Sequence, residues 1–193
     1  VVLTIQSPSR EEFEQYVKDN SQVIVDFFTS VEMNRQIENL KQKHNPQALE
    51  TVKELFGCEL MIPVEMSGEK RGKDFVWLSD FNSVNPEILS FVMYSYPYTS
   101  ADNFSLENYI QKRDSVMKKN MPGGKPGQYI QTEKEYVTLT ETSSRDRYMQ
   151  IARGLWYMEN DMMGGPFVSH AVVDEINNRV IVVEAFVYAA GQK

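Results

Sequence analysis

One cysteine, Cys58, and two histidines, His44 and His170, are the only thiol and imidazole side chains in this sequence. A single thiol excludes an internal disulfide, and it leaves the compartment open, because an oxidising one permits disulfides without requiring them. With these three side chains far apart in sequence, neither a transition-metal site nor any other cofactor is expected. No stretch approaches the roughly 20 apolar residues of a membrane helix, so direct membrane insertion by this chain is not expected. Basic residues are in deficit: 20 Lys and Arg face 27 Asp and Glu, a net charge of −7. Such a chain lacks the basic surface that tracks phosphates, which excludes nucleic acid as the expected partner. The opening Val1-Val2-Leu3-Thr4-Ile5 has neither an initiator Met nor a basic leader, as expected of a trimmed or mature fragment.

Catalytic motifs are missing as well. There is no G-x-S-x-G, and Gly123-Gly124-Lys125-Pro126 has the wrong spacing for a phosphate loop. Asp174–Arg179 lacks the alternating oxygens of a calcium loop. Leu55-Phe56-Gly57-Cys58 imitates a lipoprotein cleavage box, but Glu50, Lys53 and Glu54 stand where an apolar segment is required. No catalytic residue and no metal ligand is therefore expected.

What is present is ordinary globular composition: 193 residues, 41% apolar, 24% charged and 11% aromatic. This suits a single α+β domain over 1–193 with a mainly antiparallel sheet and helices on one face. Residues 1–6 are rich in β-branched side chains and predict a strand. Ser9 with Glu12 predicts a capped helix from about 10 to 43, broken around Phe28–Ser30. Asn45-Pro46 and Gly57 bound a second helix whose buried stripe would be Ala48, Leu49, Val52, Leu55 and Phe56. Residues 58–66 and 74–81 read as a hairpin about the turn Ser67–Gly72. A strand over 88–96 and a helix over 106–119 follow, then strands at about 128–140, 147–158, 167–175 and 179–188. The order strand, helix, hairpin thus occurs twice, suggesting two similar ferredoxin-like units, 1–86 and 87–193.

The last hairpin is the most informative piece. Asn177-Asn178 suits a two-residue turn, which would set Ala171 opposite Glu184. Both faces of 180–187 are apolar, so this strand is expected to be central and covered on both sides. Glu184 would then be a buried carboxylate in need of a partner. Arg153 shares a face with Met149, Ile151, Leu155 and Tyr157, and an Arg153–Glu184 ion pair is expected, either lining a pocket or simply fixing strand order. Met162–Phe167 reads as a glycine loop that either approaches a ligand or starts a strand tightly. His170 is expected as a hydrogen-bonded core or edge residue rather than a ligand, and Tyr94, Tyr96 and Tyr98 as core and rim packing rather than a binding platform.

Several segments, taken jointly and in order, carry a resemblance. They are Asp74-Phe75-Val76-Trp77, Tyr94-Ser95-Tyr96-Pro97-Tyr98, Lys112-Arg113-Asp114-Ser115, Arg153-Gly154-Leu155-Trp156, Met163–Ser169 and Val183–Ala189. Over about 74–189 the chain resembles the C-terminal portion of an uncharacterised family of Bacteroidetes lipoproteins, classed as a domain of unknown function. It departs from that pattern at Ala185 and Ala190, where glycine and proline are usual. The resemblance implies a longer parent, with a lipid-modified N-terminal Cys on a preceding region and a final helix after Lys193. It also implies a cell-envelope location, periplasmic or surface-exposed. The expected role is non-catalytic binding of an envelope protein, peptide or glycan, with Arg153, Trp156, Gly164, Gly165, His170 and Glu184 as binding candidates. The alternatives are a hydrolase acting on an envelope polymer, with Glu184 and Asp174 as acid and base, and a scaffold subunit of an envelope complex.

Overall fold

A computed structural model describes residues 1–80, 87–144 and 147–189. Phe81, Ala190 and Lys193, which figure in the expectations above, lie outside the described residues. The chain forms two compact units, Val1–His44 and Asn45–Lys193.

The first unit is helical. Residues 1–7 form no strand, because a β-branched run needs a neighbouring strand to satisfy its backbone, and among the described residues none pairs with it. The first strand of the expected repeat is therefore absent. Ser9 caps α1 (Arg10–Asp19) by accepting from the Glu12 N–H at 3.2 Å, as expected. The break falls at Asn20, whose side chain donates to the Tyr16 carbonyl at 2.9 Å and ends α1. The second helix, α2 (Ser21–Gln42), runs unbroken through Phe28–Ser30. Pairs such as Gln22–Asp26 and Glu32–Arg35 support it along its length. No residue of α1 or α2 is buried.

The second unit is a seven-stranded, fully antiparallel sheet with helices on both faces. Its strands are β1 (Gly68–Arg71), β2 (Phe75–Ser79), β3 (Glu87–Pro97), β4 (Ile130–Ser144), β5 (Arg147–Met158), β6 (Gly164–Asp174) and β7 (Arg179–Ala189), in the order β1-β2-β3-β7-β6-β5-β4. The α+β class and the antiparallel sheet are as expected, and so is the central place of β7. Helices on one face are not. Strand side chains alternate between two apolar layers. Phe75, Val92, Tyr94, Val182 and Phe186 meet α4 (Leu106–Asn120), whereas Val76, Leu78, Met93 and Ile181 meet α3 (Pro46–Phe56).

Capping explains why α3 stands where it does. Asn45 accepts from the Ala48 N–H at 3.1 Å, Pro46 fills the first turn, and Gly57 closes the helix at φ 67°. Arg179 adds a tie that single-residue reading did not supply. Its guanidinium donates to the carbonyls of Leu55 at 3.3 Å and Phe56 at 2.6 Å, while its Nε pairs with Asp174 at 2.8 Å. The last hairpin thereby holds the C-terminus of α3, where a cation also meets the helix dipole favourably.

Two local expectations are overturned. The first hairpin lies further along the chain: Gly68–Arg71, expected within a turn, is strand β1 itself, and 58–66 is irregular. Pro63 has no N–H for a ladder and its carbonyl accepts from Met66 at 3.1 Å, so the segment turns while Ile62 and Met66 fill the core. The β6–β7 register is also two residues off the expected one: Asp174 faces Arg179 and Ser169 faces Glu184. A two-residue turn of the expected kind needs positive φ at both centres, and only Asn178 has it, at 49°. Instead the Asp174 carboxylate accepts from the Asn177 backbone and side chain at 3.2 and 2.8 Å, closing a four-residue loop. Because the slip is even, every side chain keeps its face.

Candidate functional site

Arg113 and Glu184 form the most deeply buried polar pair of the second unit, both at 0% exposure. Helical spacing delivers Arg113: Tyr109, Ile110 and Met117 share the buried face of α4, and Arg113 lies four residues from the first and last of them. Its Nη2 and Nε reach Glu184 at 2.7 and 3.0 Å, and its Nη1 donates to the Thr132 hydroxyl at 2.8 Å. Asp114, the next residue, accepts from the Thr132 N–H at 2.9 Å and its hydroxyl at 2.5 Å, so α4 and β4 are clamped together. The Phe167 ring lies 4.0 Å from the guanidinium carbon. Gly154 makes room for that ring, since a Cβ there would stand 2.8 Å from Phe167 Cε1. Burial pushes the Glu184 carboxyl above its ordinary range, against the pull of Arg113. Neither Arg113 nor Glu184 lines either of the two cavities described below. Both Glu184 oxygens are already engaged by Arg113. The arrangement can lock α4 to the centre of the sheet, and it offers no general acid or base to a substrate.

The expected partner of Glu184, Arg153, is elsewhere. The core face of β5 carries Gln150, Ala152, Trp156 and Met158, and the Met149–Tyr157 stripe with Arg153 is the outer face. Strand β6 also separates β5 from β7, so Arg153 is two strands away and on the wrong side. Arg153 is exposed, and so is His170. Partial burial of its ring, and then the Arg153 charge, hold the His170 imidazole below its ordinary range. Neither residue joins the other candidates.

Trp156, Gly164 and Gly165 do come together. Gly164 and Gly165 are strand, not loop, and they pair with Tyr157 and Trp156 of β5. The indole of Trp156 crosses Gly165 and donates to the Val187 carbonyl on β7 at 3.1 Å. A Cβ on Gly165 would stand 2.0 Å from that carbonyl oxygen and 3.3 Å from the indole nitrogen. The glycine is what lets a large ring bridge the strand between its own and the next.

Beside this bridge lies a cavity of about 270 Å³. Four aromatic side chains line it, Trp77, Trp156, Phe186 and Tyr188, the middle two in edge contact at 5.4 Å. The thioethers of Met121, Met158 and Met163 contribute pliable apolar surface. Lys70 and Asn120 stand among them as polar groups. The two tryptophans of the chain are thus both in the wall of one cavity. A wider groove of about 1440 Å³ lies toward the β6–β7 turn. Its carboxylates include Asp174, already engaged by Asn177 and Arg179. Sequence reading named Trp156 and the glycines but missed Lys70, assigned to a turn, and Arg113, hidden by the apparent fit of Arg153. The signal for Arg113 was its place in the apolar face of a helix.

Four of the six segments that carry the resemblance contribute a side chain to this cavity: Trp77, Trp156, Met163, and Phe186 with Tyr188. The comparison with protein families covers that portion of the chain and extends it toward the N-terminus. Residues 45–193 match the model of a domain of unknown function, DUF4837, starting where the second compact unit starts. No curated protein matches the chain.

Proposed function

We propose a ligand-binding, non-catalytic role for this chain, which belongs to DUF4837, a family of domains of unknown function. The reading rests on one observation: both tryptophans, Phe186 and Tyr188 converge on a single cavity of about 270 Å³ whose wall is otherwise mostly apolar. A concave apolar site with few polar groups is what small-ligand binding requires. Among the described residues Glu184 is the one buried carboxylate, and Arg113 seals it, which favours binding over the hydrolase reading. The resemblance to lipoproteins supports an envelope location, with a lipid anchor on a preceding region. The domain itself would then hold its ligand near, and not in, the membrane.

Intrinsic fluorescence tests this directly, because the only two tryptophans report on the proposed site. Titration with a small neutral amphiphile, octanol, is expected to shift and quench the emission saturably, with half-saturation in roughly the micromolar to low-millimolar range. A linear, non-saturating response over that range would sink the proposal.

A further inference from the structure

We infer that the ligand of this cavity is a small organic monoanion, an apolar body carrying one carboxylate, whose charge is received by Lys70. The inference deepens the binding role proposed above and rests on it. Among the described residues lining the cavity, Lys70 alone is charged. It pairs with Trp77 across β1 and β2, so an anionic group held by its ammonium can leave an attached apolar body against the indole. The ammonium donates to the Asn120 main-chain carbonyl at the end of α4, which fixes it there. That carbonyl takes one of its three donors.

Lys70 brings a positive charge to the cavity wall. Among the described residues no carboxylate forms an ion pair with it, although the chain carries seven more acidic than basic side chains. The last turn of α4, which ends at Asn120, also carries Lys118 and Lys119. A cation without a carboxylate beside an apolar cavity suits an anionic amphiphile. A cationic ligand would be repelled. A phosphate dianion calls for a second cation, and the described lining holds one. Three methionines in the wall favour an aliphatic tail, to whose shape they can adjust.

The test compares octanoate with octanol on the full chain, by tryptophan fluorescence. Octanoate is expected to bind about tenfold tighter, the worth of one partly solvated charge-assisted contact. In Lys70→Met that preference is expected to vanish, octanoate falling to the level of octanol. Raising the salt from about 0.05 M to about 0.5 M is expected to narrow the gap in the unaltered protein. Equal binding of both compounds, or a preference that survives Lys70→Met, overturns the anionic ligand and leaves the cavity as the site. Failure of both compounds to bind overturns the cavity and, with it, this inference.

Discussion

Replacing Arg113 by Met is expected to destabilise the protein by about 3–5 kcal/mol, read as a lower urea midpoint at an unchanged slope. Met keeps much of the aliphatic volume, so the loss is chiefly electrostatic. Glu184 would keep its 0% exposure and lose three hydrogen-bond contacts to the guanidinium. An unpaired carboxylate at the centre of a sheet covered on both sides is the costly state, more than the absence of a pair. Replacing both residues, Arg113→Met with Glu184→Leu, is therefore expected to recover much of the loss. A double variant as unstable as the single one would show that Arg113 matters through Thr132 and Phe167 instead.

The pH dependence of that variant has a definite sign. Burial already holds the folded Glu184 carboxyl above its usual value of 4.5, with Arg113 pulling it down. Without Arg113 the folded value rises further. A carboxyl raised in the folded state costs most when ionised, so the penalty is full at neutral pH and shrinks as pH falls through the folded value toward 4.5. The stability gap between the unaltered protein and Arg113→Met is expected to narrow over that window. A gap that widens on acidification would mean that Glu184 is held low, not high, in the fold.

Gly165→Ala is expected to cost about 2–3 kcal/mol, the range for forcing atoms into a packed interior. The obstacle is backbone, the Val187 carbonyl 2.0 Å from the new Cβ, and backbone in a sheet cannot swing aside like a side chain. Relief requires β6 and β7 to part where the Trp156 indole crosses β6 to reach β7, so the emission of Trp156 should shift to the red as it gains water. Gly124→Ala is the control, since nothing lies within 4 Å of its added Cβ; it is expected to change stability by less than about 0.5 kcal/mol. Equal midpoints for the two variants would refute the tight approach at Gly165.

Local rules carried part of this far. Asn45-Pro46 and Gly57 bound α3 as their chemistry demands, Ser105 starts α4, and β5 spans Arg147–Met158 as expected. Those features depend on residues within a few positions of one another. Expectations failed where a competing local interaction was invisible in the pattern. Asp174 closed a longer loop than Asn177-Asn178 suggested. Pro63 turned a segment that reads as strand, and Gly68–Arg71, polar enough for a turn, became β1 at the sheet edge.

The sequence by itself determined that this chain is α+β, that β7 is covered on both faces, and that Glu184 there must have a partner. These follow from hydrophobic periodicity and from the cost of burying charge, which hold wherever the strand sits. Only the tertiary structure decided that the partner is Arg113. Residues 113 and 184 lie 71 apart, and periodicity gives a face without saying what faces it. Strand order did the rest. It put β6 between β5 and β7, and alternation along β5 left Arg153 on the outer face. The same order placed Gly165 beneath an indole reaching for Val187, and brought Trp77, Trp156 and Lys70 to one cavity from three strands.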